Sequence, residues 1–328
     1  MKGLDIKDRK LLYEIDLNAR LGTSLLGKRI GLSQEGTFYR LQRLEKQSII
    51  SGYMTLLNFG KIGYTGYGVY ARFQNVTKEQ KKQIFEELKK HNHIYWIAEF
   101  GGKFDLAFAI MAKNIIHFNE MFTELSTKYN DKLKDMTISI RVELIQFPRD
   151  YLIDKKITTE KTPRFGKYIE SEKLDKTDEL ILREITNSAR ISILELSKKV
   201  NKPASTVSGR IKQLEKKEII QGYSTQIHCQ EFGYQSYQLF ISTHNLTKEK
   251  KRKLSAYCQS HPNIIFYIET VGKWNFEIIY EIEGQKELQD LIIDIRTKFS
   301  DIIMDVESIV LFNHYVKYNQ YPQKNFST

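Results

Sequence analysis

The chain of 328 residues is long enough for two or more domains, and its 41% hydrophobic, 12% aromatic and 28% charged residues suit packed cores in water. No run approaches roughly 18 uninterrupted apolar residues, and the start, MKGLDIKDRKLL, has no apolar signal core, so no membrane span and a cytoplasmic location are expected. Two cysteines without CxxC spacing, Cys229 and Cys258, argue against a disulfide framework or a Cys-rich zinc site, whereas the net charge of +11 suits a polyanionic partner.

Residues 5–17 place Ile6, Leu11, Leu12 and Ile15 at near-helical spacing, with Asp5 positioned to cap them. After the Asn18-Ala19-Arg20 break comes a short helix, about 23–30, holding Leu25, Leu26 and Ile30. Gly31-Leu32 makes a tight turn, and Ser33 caps a third helix running to about Gln47, with Thr37, Leu41 and Leu44 facing inward. Three helices with a short turn between the last two describe a helix-turn-helix. Its outward face would carry Gln34, Glu35, Phe38, Tyr39, Arg40, Gln42 and Arg43. Gln reads adenine bidentately and aromatic rings touch thymine methyls, but Glu35 opposes phosphate.

Further along, 66–73 reads as a strand and 77–90 as a helix with Thr77 at its cap. Strands at 94–100 and 104–111 flank Gly101-Gly102-Lys103, a hairpin signal. A helix over about 115–129 and a strand over 136–146 complete the order βαββαβ, a ferredoxin-like layer of one sheet and two helices. Residues 146–173 are polar, carry Pro148 and Pro163 and show no period, which predicts a tether.

A shift of 170 residues then overlays the chain on itself. Leu4-Asp5 falls on Leu174-Asp175, Asp8 on Asp178, Ala19-Arg20 on Ala189-Arg190, Arg40 on Arg210, and Ile49-Ile50-x-Gly52-Tyr53 on Ile219-Ile220-x-Gly222-Tyr223. Residues 4–53 give 18 identities in 50 positions without a gap, and Gly63-Tyr64, Thr77-Lys78-Glu79 and Gly102-Lys103 hold the same register. One unit has been duplicated. The second copy offers Ser205, Thr206, Ser208, Gly209, Arg210 and Lys212 outward, hydroxyls and cations apt for base edges and phosphates.

Each unit resembles the leucine-responsive regulator/asparagine-regulator (Lrp/AsnC, feast/famine) family of transcription factors. The resemblance rests on Leu-Asp-x-x-Asp, a helix-turn-helix ending Arg-Leu/Ile-x-x-Leu-Glu, the Ile-Ile-x-Gly-Tyr connector and the βαββαβ regulation (RAM) domain. It implies an α+β fold with two copies of a winged helix-turn-helix and a ferredoxin-like domain. The corresponding division is 1–60, 61–147, a linker at 148–170, 171–230 and 231–320. It implies double-stranded DNA as partner and an amino acid or other small effector, with the βαββαβ domains pairing as a homo-oligomer or within one chain. Ser33, Gln34, Phe38, Ser205, Thr206 and Ser208 are expected at the DNA, with Arg40, Arg43, Arg210 and Lys212 on phosphates. The family's Gly-x-x-Asp hairpin matches Gly102 and Asp105, and in the second copy Gly272 and Asn275, as effector candidates. No cofactor, metal or catalytic residue is expected. An architectural DNA-compacting protein is the alternative, followed by an enzyme like the siroheme decarboxylases, which share this fold. Such an enzyme would need His or Arg side chains in the βαββαβ cleft; His91, His93 and His117 exist, and only His91 has a counterpart, His261.

Overall fold

The computed structural model describes residue 1 and residues 3–153, 162–167, 170–316 and 321. The first unit runs α1 (Ile6–Leu17), α2 (Thr23–Ile30), α3 (Gln34–Lys46), β1 (Ile50–Leu57), a 3-10 turn at Phe59–Ile62, β2 (Thr65–Phe73), α4 (Lys78–Lys90), β3 (Ile94–Gly101), β4 (Leu106–Ala112), α5 (Ile115–Lys128) and β5 (Leu133–Gln146). A 3-10 turn at Asp150–Leu152 and a short strand, β6 (Arg164–Gly166), follow. The second unit repeats the first as α6 (Lys176–Asn187), α7 (Ile193–Lys199), α8 (Ala204–Lys216), β7 (Ile220–Ile227), β8 (Gln235–Thr243), α9 (Lys248–Ser260), β9 (Ile264–Gly272), β10 (Phe276–Ile282), α10 (Gln285–Lys298) and β11 (Ile303–Val316).

Local chemistry starts these helices where the sequence signals them. Asp5 and Asp8 form a reciprocal capping box on α1, and Thr77 and Gln80 form another on α4. Each four-stranded sheet alternates. Tyr67, Val69 and Ala71 of β2 face outward onto Ile84, Phe85 and Leu88 of α4, and Leu239 and Ile241 of β8 pack with Leu254 and Cys258 of α9. The opposite faces would leave two apolar sheets in water, and the two units solve this together.

The strands β5-β2-β4-β3 of one unit and β11-β8-β10-β9 of the other join edge to edge through β3–β11 and β5–β9, every pair antiparallel. Eight strands therefore close into a barrel within a single chain, with no edge left unpaired among these eight. Tyr70, Phe104, Phe240 and Trp274 pack at its centre, with Tyr70 edge-on to both Phe240 and Trp274 at 5.2 Å. Buried Glu277 is held there by Ser139 Oγ at 2.8 Å and Trp274 Nε1 at 3.0 Å.

The helix-turn-helix heads dock crosswise. β1 and β7 pair as a two-stranded antiparallel ribbon. Thr55 of β1 donates to the Ile185 carbonyl of α6 at 2.7 Å, and Thr225 of β7 donates to the Ile15 carbonyl of α1 at 2.9 Å. Arg20 donates to the Ala189 and Ile191 carbonyls and lies over Tyr223; Arg190 donates to the Ala19 carbonyl and lies over Tyr53. The repeated Ala-Arg pair is thus the contact across the pseudo-twofold axis.

The stretch expected as a tether is partly built in. Arg149, nine-tenths buried, meets Asp16 of α1 at 3.0 Å and Glu281 of β10 at 2.9 Å, and Phe165 of β6 is buried. Nearby, desolvation, then the charges of His228 and Arg149, push His314 down to about 4, against the pull of Glu281; burial also lowers His228. A histidine that stays neutral in the fold loses ground once the unfolded chain takes up its proton. Stability from His314 is therefore complete above its unfolded value near 6.5 and is lost as pH falls from there to about 4, a loss of no more than about 3 kcal/mol. Asp16, raised by burial, works in the opposite sense. Urea unfolding between pH 7.5 and 5 should show the decline, and His314→Gln should flatten it.

Candidate nucleic-acid interface

Each head is a three-helix unit whose recognition helix buries one stripe and exposes the other. Thr37, Leu41 and Leu44 are buried on α3, as are Val207, Ile211 and Leu214 on α8. The α2–α3 turn is tight: Gly31 sits at φ +72°, and a Cβ on Gly27 would lie 2.6 Å from the Leu32 carbonyl oxygen. Tyr53 donates to Glu45 and Tyr223 to Glu215, so the Ile-Ile-x-Gly-Tyr connector ties β1 and β7 back to the helix before each.

The arginines expected on phosphates are engaged inside the heads. Arg40 Nη1 lies 2.7 Å from both Asp5 and Asp8, and Arg43 pairs with Asp8, which is almost completely buried. Arg210 repeats this with Asp175 and Asp178. Two hydrogen bonds, from the Asp178 backbone first and Arg210 second, hold Asp175 below the usual carboxylate range. These pairs fasten the recognition helix to the start of the first helix. The phosphate role expected of Arg40, Arg43 and Arg210 therefore competes with a structural one, which Arg40 and Arg210 repeat in both copies.

What remains on the outward faces differs. Ser205, Gly209, Lys212 and Lys216 form one exposed stripe along α8 at helical spacing, with Thr206 beside it and Ser208 half-buried. A Cβ on Gly209 would meet nothing within 4 Å, and Lys212 has no ion pair among the described residues. The α8 N-cap is Pro203, which gives its first turn no side-chain cap. On α3 the matching stripe is Glu35, Tyr39, Gln42 and Lys46. Phe38 is 52% and Tyr39 70% exposed, Gln34 is exposed, and Ser33 spends its hydroxyl on the Gly36 amide at 3.0 Å.

The effector candidates are also engaged. Asp105 accepts from the Phe73 amide at 2.9 Å, and Asn275 accepts from the Thr243 amide and hydroxyl. Gly102 and Gly272 lie at φ +122° and +156° in hairpin turns. Carboxylate and amide do the same work at this corner, which explains why the second copy tolerates Asn. His93 packs beside His117 with ring centroids 5.0 Å apart, among the helices outside the barrel rather than in either central cavity. No cluster of His, Cys, Asp or Glu able to hold a metal ion occurs among the described residues, and no helix there is long and apolar enough to cross a membrane.

Residues 4–45 match the AsnC-type helix-turn-helix domain, and residues 174–221 match a winged helix-turn-helix DNA-binding domain. The first head is thus an AsnC-type helix-turn-helix, a second helix-turn-helix stands in tandem with it, and the chain is similar to Lrp/AsnC regulators. Among its relatives is an uncharacterized HTH-type transcriptional regulator of Pyrococcus abyssi, 29% identical over 113 residues that cover 34% of this chain and 75% of that protein. The HTH-type transcriptional regulator LrpA of Mycobacterium tuberculosis is 24% identical over 127 residues, 39% of this chain and 84% of its own. The architecture of the whole tandem chain is like that of the siroheme decarboxylase NirDL, with a TM-score of 0.60 at 10% identity over 95% of this chain and 92% of that one. That likeness is one of fold.

Proposed function

We propose that this tandem Lrp/AsnC-like protein is a sequence-specific DNA-binding transcription regulator in which α8 is the principal reader. The observation that carries the reading is the α8 stripe of Ser205, Gly209, Lys212 and Lys216, left outward after Arg210 is drawn into the head. Ser205, Thr206 and Ser208 supply hydroxyls for base edges, and Lys212 and Lys216 meet phosphates. Gly209 lets the helix backbone approach the groove, and the first turn of α8 offers its amides to a phosphate. The α3 face, with Glu35, Phe38 and Tyr39, contributes weakly through Gln34 and Gln42, so the site is asymmetric.

On this reading the chain is not an enzyme. The buried cavity where Arg141, Arg149 and His314 converge has a volume of about 40 Å³. That is room for a few waters, against about 300–1,000 Å³ for sites that take drug-sized ligands. The likeness to NirDL, at 10% identity, is read as one of architecture, since both heads match helix-turn-helix domains.

Lys212→Ala should weaken binding to every DNA sequence and reduce the slope of log K against log salt by about 1. Fluorescence anisotropy at several salt concentrations measures this, and an unchanged slope would remove Lys212 from the phosphates. Arg210→Ala should instead lower the stability of the second head.

A further inference from the structure

The barrel has one seam where a strand changes partner, and a slot opens there. β5 pairs with β2 up to Arg141 opposite Gly66, then with β6 from Glu143 opposite Gly166. Between β2 and β6, with the Phe59–Ile62 turn as a third wall, lies a cavity of about 400 Å³. The linker supplies β6, which is held against the turn: Asn58 Oδ1 accepts from the Gly60 and Gly166 amides at 3.1 and 3.0 Å, and a Cβ on Gly60 would lie 2.9 Å from Gly166 Cα. The slot exists only because the two units are joined.

Its lining is selective. Phe59, Tyr64, Tyr95 and Phe165 give it aromatic walls. At its floor the Arg141 guanidinium, on a residue only 8% exposed, donates to the Tyr95 hydroxyl at 2.9 Å. The inner face of β2 makes room for the tyrosine, since a Cβ on Gly66 would lie 2.6 Å from the Tyr95 hydroxyl. In the second unit Gly66 and Gly68 become Ser236 and Gln238, and Arg141 becomes Leu311, so this set of side chains is not repeated there. Arg141, Arg164 and Lys167 outnumber the carboxylates of Glu143 and Glu277 in this neighbourhood, which favours a single negative charge.

We infer that this slot binds a small aromatic monocarboxylate, its ring between the aromatic walls and its carboxylate toward Arg141. The Ser171–Glu172 segment that leads to α6 rests on the same turn, with the Glu172 amide donating to the Lys61 carbonyl at 2.7 Å, so occupancy would bear on the second head. That consequence rests on the regulator reading; binding itself does not.

Calorimetry of the full chain without DNA, with indole-3-acetate as the probe, tests the site. One saturable site with Kd below about 1 mM is expected. Tryptophol, which lacks the charge, and L-tryptophan, which adds an ammonium group, should each bind at least roughly tenfold more weakly. Arg141 also meets Glu277 in the barrel, so the decisive variant is Tyr64→Leu, which removes one half-exposed aromatic wall while keeping an apolar side chain in its place. It should weaken binding at least roughly tenfold while leaving the far-UV spectrum of the chain unchanged. No binding by the natural chain, equal binding of tryptophol, tighter binding of L-tryptophan, or full binding by Tyr64→Leu would each overturn the inference.

Discussion

Arg149→Ala is expected to cost about 3–5 kcal/mol in urea unfolding, because it leaves two buried carboxylates facing one another without their cation. Arg149 Nη1 reaches both oxygens of Asp16, and its Nε and Nη2 reach Glu281 at 2.9 and 3.1 Å. Tyr151 donates to Glu281, and Ser224 donates to Asp16 at 2.9 Å, so the remaining lone pairs are occupied as well. The cluster joins the first helix of one unit to the barrel strand of the other. Replacing the whole triad, Arg149→Met with Asp16→Asn and Glu281→Gln, should recover most of the loss, since burying the charges costs nearly as much as their attraction returns. A loss below about 1 kcal/mol for the single variant would mean that water reaches the carboxylates and that the triad does not hold the head.

Giving α8 the face of α3, by Ser205→Glu with Gly209→Tyr, should lower affinity for the specific site at least about a hundredfold, roughly 2.7 kcal/mol. The carboxylate would face phosphate, and the ring would fill the open space over Gly209. Both positions are exposed, so the head should fold as before. The reciprocal change on α3, Glu35→Ser with Tyr39→Gly, should leave the affinity of the natural site within about threefold. Anisotropy titrations of both double variants separate the heads. Equal losses would make them equal readers, and no loss from the α8 change would remove α8 from the groove.

Much of this was legible in the chain. The helices and the βαββαβ strands lie within a few residues of where periodicity and capping residues place them, because each has one buried face and one wet one. β1 and β7 escaped as strands since β1 is covered on both faces along Met54–Leu57, which erases alternation. The linker looked like a tether because its anchors, Arg149 and Phe165, sit singly in polar sequence.

The role of Arg40 and Arg210 was hidden by distance, for their partners lie 32 and 35 residues earlier. A signal for it existed nonetheless. Asp5, Asp8 and Arg40 all survive the shift of 170, while Phe38 becomes Ser208 and Tyr39 becomes Gly209. Residues that persist together across the copies hold the head together, and those that diverge face outward. The slot beside Arg141 could not be read at all, since it depends on β5 exchanging β2 for β6.

The most direct test of the regulator reading is an anisotropy titration of the full chain on DNA from upstream of its own gene, against scrambled DNA of equal composition, at two salt concentrations. A preference of about a hundredfold or more, retained as salt rises, is the predicted result. Equal and steeply salt-dependent binding to both DNAs would contradict it and leave an architectural, sequence-independent binder.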